Sequence, residues 1–133
     1  MKTIIGVVSM ALAIAAATTV AAEEDTHSAH FMLPYCKLSS RQTMANPKNA
    51  LIYGQCFGMI SGIVMTAEVL RQARAAGKAE LDPALCMEIP GDMTILQIID
   101  RVVKYGEAHP DQGRERFEVV AYNALHDAWP CGK

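Results

Sequence analysis

The chain lacks an excess of positive charge, an odd cysteine and any large aromatic content. Its 133 residues carry 12 Lys and Arg against 14 Asp and Glu, a formal charge of -2, and aromatic residues make up 6%. Proteins that grip nucleic acid through its phosphates present a basic face, so that class is excluded. The same balance argues against attraction to an anionic membrane surface. Catalytic signatures are missing too: there is no Gly-x-Ser-x-Gly, no His-Glu-x-x-His and no glycine-rich phosphate loop. No Cys-x-x-Cys, internal repeat or low-complexity tract occurs. No catalytic residue, cofactor or metal is expected.

What is present begins with an export address. Met1-Lys2 supplies a positive charge, Thr3 to Ala17 is small and apolar, and Thr18-Thr19-Val20-Ala21-Ala22 offers a small-residue exit before Glu23-Glu24-Asp25. Charge, apolar stretch and small-residue exit are the three parts of a signal peptide. A bilayer span needs about 20 predominantly apolar residues, and this run is shorter and rich in alanine. Cleavage is expected after Ala22, with 23–133 left as one domain. No cysteine at the exit invites a lipid anchor, and no second run of spanning length is read downstream. The mature form is expected to be soluble and periplasmic. In that oxidising compartment Cys36, Cys56, Cys86 and Cys131 become staples, not nucleophiles or metal ligands.

The fold class reads as all-α, a small disulfide-stapled bundle of about four helices. A first, short helix spans about Ser28 to Leu38, with Pro34 kinking or splitting it. The second has Asn46 as N-cap and Pro47 at the first helical position. Its apolar stripe reads Tyr53, Cys56, Phe57, Ile60, Ile63, Val64, Ala67 and Leu70. Arg71 and Arg74 crowd its far end, and Gly77 suits the left-handed closing position. Residues 78–93 hold Pro83, Pro90 and Gly91 and read as a long connection. A third helix opens near Thr94, with Gln97 in capping-box spacing and Ile95, Ile98, Ile99, Val102 and Val103 inward. A fourth runs from about Asp111 to Ala128, burying Phe117, Val120, Ala121, Ala124 and Leu125, and stops at Pro130.

Four cysteines permit three pairings, and spacing alone does not choose. Bridged Cα atoms must lie within about 7 Å. The short link between helices three and four makes them antiparallel, which brings Cys86, before one, near Cys131, after the other. Cys36 and Cys56 remain as partners. The pairing expected is Cys36–Cys56 with Cys86–Cys131, and Trp129 is expected to pack over the second bridge.

Candidate chemistry elsewhere is thin. His27 and His30, with Met32 near, have a spacing that suits a soft metal, but a polar start to the mature chain explains them as well. His126 and Asp127 are adjacent on a helix and point about 100° apart, so they do not face one another. Glu107 and Asp111, or Glu115 and Glu118, are carboxylate pairs on solvated helix faces, with nothing to separate their pKa values. Most of the methionines read as core filler.

Gly54-Gln55-Cys56-Phe57-Gly58-Met59-Ile60-Ser61-Gly62 is similar to the Cys-x-Gly-Tyr/Phe-Ile-x-Gly element of the Rap/Tai immunity proteins, with Phe57-Gly58-Met59 in place of the commoner order. Cys86 with Ile89-Pro90 resembles that family's Cys-x-Pro stretch. Val102-Val103-Lys104-Tyr105 through His109-Pro110 resembles its helix end, and Ala128-Trp129-Pro130-Cys131 its close. The resemblance implies an all-helical periplasmic domain, often dimeric, that neutralises a type VI secretion effector, notably a peptidoglycan amidase, by blocking its cleft. On that reading the partner is a protein, and loops 39–46 and 78–93 are the candidate contacts, with Glu80, Asp82, Glu88 and Asp92 on the acidic one. Two other readings compete: a periplasmic stress protein with chaperone-like action, and a metal carrier using His27 and His30.

Overall fold

A computed structural model describes residues 25–38, 42–43, 45–78, 80, 82 and 85–132. The expected export segment, 1–22, lies outside the described residues, as do positions 39–41 and 44 of the 39–46 turn. The described chain forms α1 (Ala29–Cys36), α2 (Pro47–Ala75), α3 (Ile95–Ala108), a 3-10 turn (Pro110–Arg114) and α4 (Phe117–Ala128). It is an all-α bundle.

Local chemistry sets most of the helix ends. The Ser28 hydroxyl accepts from the Phe31 amide at 3.3 Å and donates to the Asp25 carbonyl at 2.8 Å, which caps α1. Pro34 lies inside α1 without interrupting it, in a helix of only 8 residues. Asn46 Oδ1 accepts from the Lys48 amide at 2.8 Å, and Pro47 opens α2 where its missing donor has no partner to lose. At the far end Gly77 adopts φ +66°, and the amides of Gly77 and Lys78 return to Arg74 and Ala73 at 2.9 Å each. A side chain at that φ would meet the carbonyl ahead of it; glycine does not. Thr94 and Gln97 form a complete capping box on α3.

The core lies where α1, α3 and α4 meet one face of α2. Phe117, Met32, Ile60, Leu125, Val102, Val120 and Cys56 are its largest fully enclosed side chains. Burying each large apolar side chain contributes about 1.5–3 kcal/mol, so this layer sets the packing of the domain. Close approach of α1 to α3 depends on Gly106: a Cβ there would run into Leu33. Two bridges tie the ends, Cys36 to Cys56 and Cys86 to Cys131, with Cα separations of 5.8 and 5.4 Å. The second joins the approach to α3 with the exit from α4, while the 3-10 turn joins their other ends, so the two helices run in opposite directions.

Three expectations need correction. The fourth helix does not begin at Asp111. Residues 110–114 form a 3-10 turn, Glu115 and Arg116 are extended, and α4 starts at Phe117. The cause is non-local: Arg116 pairs with Ser28 as an isolated antiparallel bridge. The inward face of α2 is also narrower and rotated. Ile52, Cys56 and Ile60 are buried, Tyr53 is half-buried, and Phe57 is 39% exposed. Lastly, α2 is long and apolar enough to cross a membrane by length and composition, although no such run was read after the leader. Glycines, serine and threonine break the run in the sequence, yet only 17% of its most apolar window is buried.

Candidate partner-binding surface

Two surfaces of the bundle carry features that the fold itself does not need. One is a groove at the C-terminal end of α2. The other is the outward face of the same helix.

The groove encloses about 760 Å³ and is lined by Glu68, Arg71, Arg74, Ala75, Glu88, Ile89, Gly91 and Gly132. Helical spacing assembles one wall. Arg71 donates through Nε and Nη2 to both oxygens of Glu68, at 2.7 and 2.6 Å, and Gln72 Nε2 donates to Glu68 Oε1 at 2.7 Å. Three donors on one carboxylate hold Glu68 well down, at about 2, with the Arg71 hydrogen bonds the larger cause and Gln72 next. Arg71 is raised in turn by Glu68 and, less, by the charge of Glu88. Beside this fork an apolar recess opens between Val64, Ala67, Met87, Met93 and Ile98.

The opposite wall is the segment after Cys86, pinned at its base. The Glu88 amide donates to the Trp129 carbonyl at 2.9 Å, and Met87 pairs with Pro130 as an antiparallel bridge. Arg74 Nη1 reaches Cys86 Sγ at 3.1 Å. Trp129 packs against the core, and the Arg101 guanidinium lies 5.8 Å from its ring centroid.

Of the four acidic residues proposed from sequence, all are exposed. Glu88 lines the groove opposite Arg71 and Arg74. Asp82 lies close enough to Tyr122 to add to the burial that raises that phenol. Glu80 and Asp92 are not among the described lining residues of the groove. The sequence reading missed the Glu68–Arg71–Gln72 fork, although its i, i+3, i+4 spacing is the signal that finds it. The Arg74–Cys86 contact spans 12 positions across a turn and carries no local signal.

The histidines separate. The His27 carbonyl accepts from the Phe117 amide at 2.8 Å, so its backbone serves the fold. His30 sits on α1 in a groove with Asp25, Ser28 and Arg114. His109 stacks on Tyr105 and His126 on Tyr122. Among the described residues no group of three His, Cys, Asp or Glu is arranged to hold a metal ion.

The second surface runs along α2. Leu51, Met65 and Val69 are 65, 69 and 62% exposed. Between them, at spacings of three and four, lie Gly54, Gly58 and Gly62, where an added Cβ would meet nothing within 4 Å. The helix thus presents an apolar strip with a shallow glycine channel along its middle.

No curated protein and no solved structure matches the chain. A family model does, over residues 28–131, which takes in every described helix and both bridges. The chain belongs to the family of Rap1a immunity proteins.

Proposed function

We propose that this chain is a periplasmic immunity protein that binds a peptidoglycan-degrading amidase delivered by a type VI secretion system and covers its cleft, with no chemistry of its own. The observation that carries this reading is the family match across residues 28–131. Two bridges and a capped, closely packed bundle support a steric mechanism, because a preorganised surface loses little entropy when it binds. Both bridges also suit an exported protein, as the leader at 1–22 would make it.

The contact surface in this reading is the connection between α2 and α3, with Glu80, Asp82, Glu88 and Asp92. Its support is exposure and a rigid base: loops held by a stiff scaffold are where recognition concentrates. The outward strip of α2 serves a different contact, a second copy of the same chain. Isolated bundles rarely leave so long a helix this bare, and contiguous exposed apolar surface marks association sites.

The test is reconstitution. Oxidised residues 23–133 are used to capture an amidase-type effector, and hydrolysis of purified peptidoglycan by that effector is followed with and without the immunity protein. A stoichiometric complex with lost hydrolysis is expected. An effector that stays fully active at excess immunity protein would refute the reading. Neutralising Glu80, Asp82, Glu88 and Asp92 together should weaken the complex, and unchanged affinity would remove that loop from the interface.

A further inference from the structure

The two bridges differ in their surroundings. Cys36 and Cys56 are 4% and 0% exposed, so although Cys36 borders a surface recess beside Lys37 and Tyr53, that bridge offers a reductant little surface. Cys86 is buried at 3%, but Cys131 is only half-buried, next to Gly132 on the rim of the groove. Cys86 Sγ has Arg74 Nη1 at 3.1 Å. Thiol–disulfide exchange is governed by access to the attacked sulfur and by the acidity of the departing thiol. At this bridge the two requirements fall on different sulfurs: Cys131 is reachable, and Cys86 would leave as a thiolate beside a guanidinium.

The geometry points to Cys86–Cys131 as a polarised thiol-exchange site, acted on by a dithiol reductase or a small thiol of the cell envelope. The incoming thiolate attacks Cys131 Sγ. A new sulfur–sulfur bond forms to Cys131, the Cys86–Cys131 bond breaks, and its electron pair departs on Cys86, held by Arg74. With a dithiol, the second thiol then attacks its own sulfur in the mixed bond and gives up its proton. Cys131 leaves as a thiolate, the reductant ends as a disulfide, and each cysteine takes up one proton. Arg71 adds positive charge from the same groove wall, though Glu68 neutralises it, and Glu88 across the groove opposes Arg74. Arg74 is the group in direct contact with the sulfur and so sets the direction. Opening the bridge leaves the segment from Cys86 to Glu88 held by single backbone bonds to Trp129 and Cys131 and by the buried Met87 side chain.

This inference stands apart from the immunity reading and is tested without an effector. Oxidised protein is incubated with glutathione, quenched, alkylated and mapped by peptide mass. The expected product carries glutathione on Cys131 and alkyl on Cys86, while Cys36–Cys56 opens at least about tenfold more slowly. In Arg74→Gln the second bridge should open several-fold more slowly, with Cys36–Cys56 unchanged. In Cys131→Ser the lone Cys86 thiol should alkylate several-fold faster at neutral pH than in the same variant carrying Arg74→Gln. Equal opening of both bridges, glutathione on Cys86, or kinetics indifferent to Arg74→Gln would each overturn the assignment. The glutathione mapping and the comparison of the two bridges use wild-type protein, so a poorly folding serine variant does not blunt the test.

Discussion

Ser28 and Arg116 are joined as a single antiparallel bridge, flanked by the Ala29 amide donating to Glu115 at 2.9 Å and the Phe117 amide donating to His27 at 2.8 Å. These bonds hold the start of α1 against the start of α4 and leave Phe117, the first residue of α4, wholly enclosed. Phe117→Ala removes the largest of the enclosed side chains from a site that backbone bonds keep from collapsing. A loss of about 3–5 kcal/mol is expected in urea unfolding, with the helical signal retained in the residual fold. A loss below about 1 kcal/mol would mean the site repacks and the bridge does not constrain it.

The capping box at Thr94 gives a smaller, sharper expectation. Its hydroxyl accepts from the Gln97 amide at 3.3 Å, and Gln97 Oε1 accepts from the Thr94 amide at 2.8 Å. Thr94→Ala should cost about 1 kcal/mol, and Gln97→Ala in the same background should add less than it does alone, because the two bonds share one turn. Thermal unfolding of the four-member cycle measures both.

The bridges close loops of different length, with sequence separations of 20 and 45. If constraint of the unfolded chain dominates, removing Cys36–Cys56 should cost about 3 kcal/mol and removing Cys86–Cys131 about 4. Paired serine variants, unfolded in urea without reductant, give the order. The reverse order would show that burial of the sulfurs in the core, greater for Cys56, outweighs loop entropy.

Helix existence was legible wherever the deciding chemistry is local. Asn46-Pro47, Thr94 with Gln97, and Gly77 each announce a boundary within one turn of chain. The start of α4 was not, because nothing near Asp111 says that Glu115 and Arg116 will be drawn into pairing with residues 27–29. The orientation of α2 was ambiguous for another reason. Apolar residues occur on both sides, with Ile52, Cys56 and Ile60 against Leu51, Met65 and Val69, so the period fixes a helix without choosing its inner face. Of the candidate surface, the acidic positions were visible as charge. The Arg74–Cys86 contact was not, since it exists only once the connection folds back over α2.

Acid should act on the Glu68 fork in a defined window. The folded carboxyl sits at about 2, below an ordinary value of 4.5, so the unfolded chain binds its proton first as pH falls. The contribution of the pair is therefore full above about pH 4.5 and fades as pH drops through 2. Because Glu68 is exposed, salt should weaken the effect. A carbon-detected titration of Glu68 should show a midpoint near 2 at low salt, moving up toward the ordinary range in Arg71→Gln. A midpoint already in that range in the wild type would mean the fork does not persist in solution.

The strip on α2 makes the last prediction. Leu51, Met65 and Val69 stand out from a helix of 29 residues with Gly54, Gly58 and Gly62 between them, so a second helix can approach the backbone along the channel. Met65→Glu places a charge at the centre of that approach but on a side chain that touches nothing essential to the monomer. The monomer's stability should change by less than about 0.5 kcal/mol, as for surface substitutions generally. A dimeric wild type should become monomeric in light scattering at the same concentration, since an unpaired charge buried at an interface costs several kcal/mol. Gly58→Leu should act the same way through bulk instead of charge. If the wild type itself sediments as a monomer at the same concentration, the strip does not join two copies of the chain.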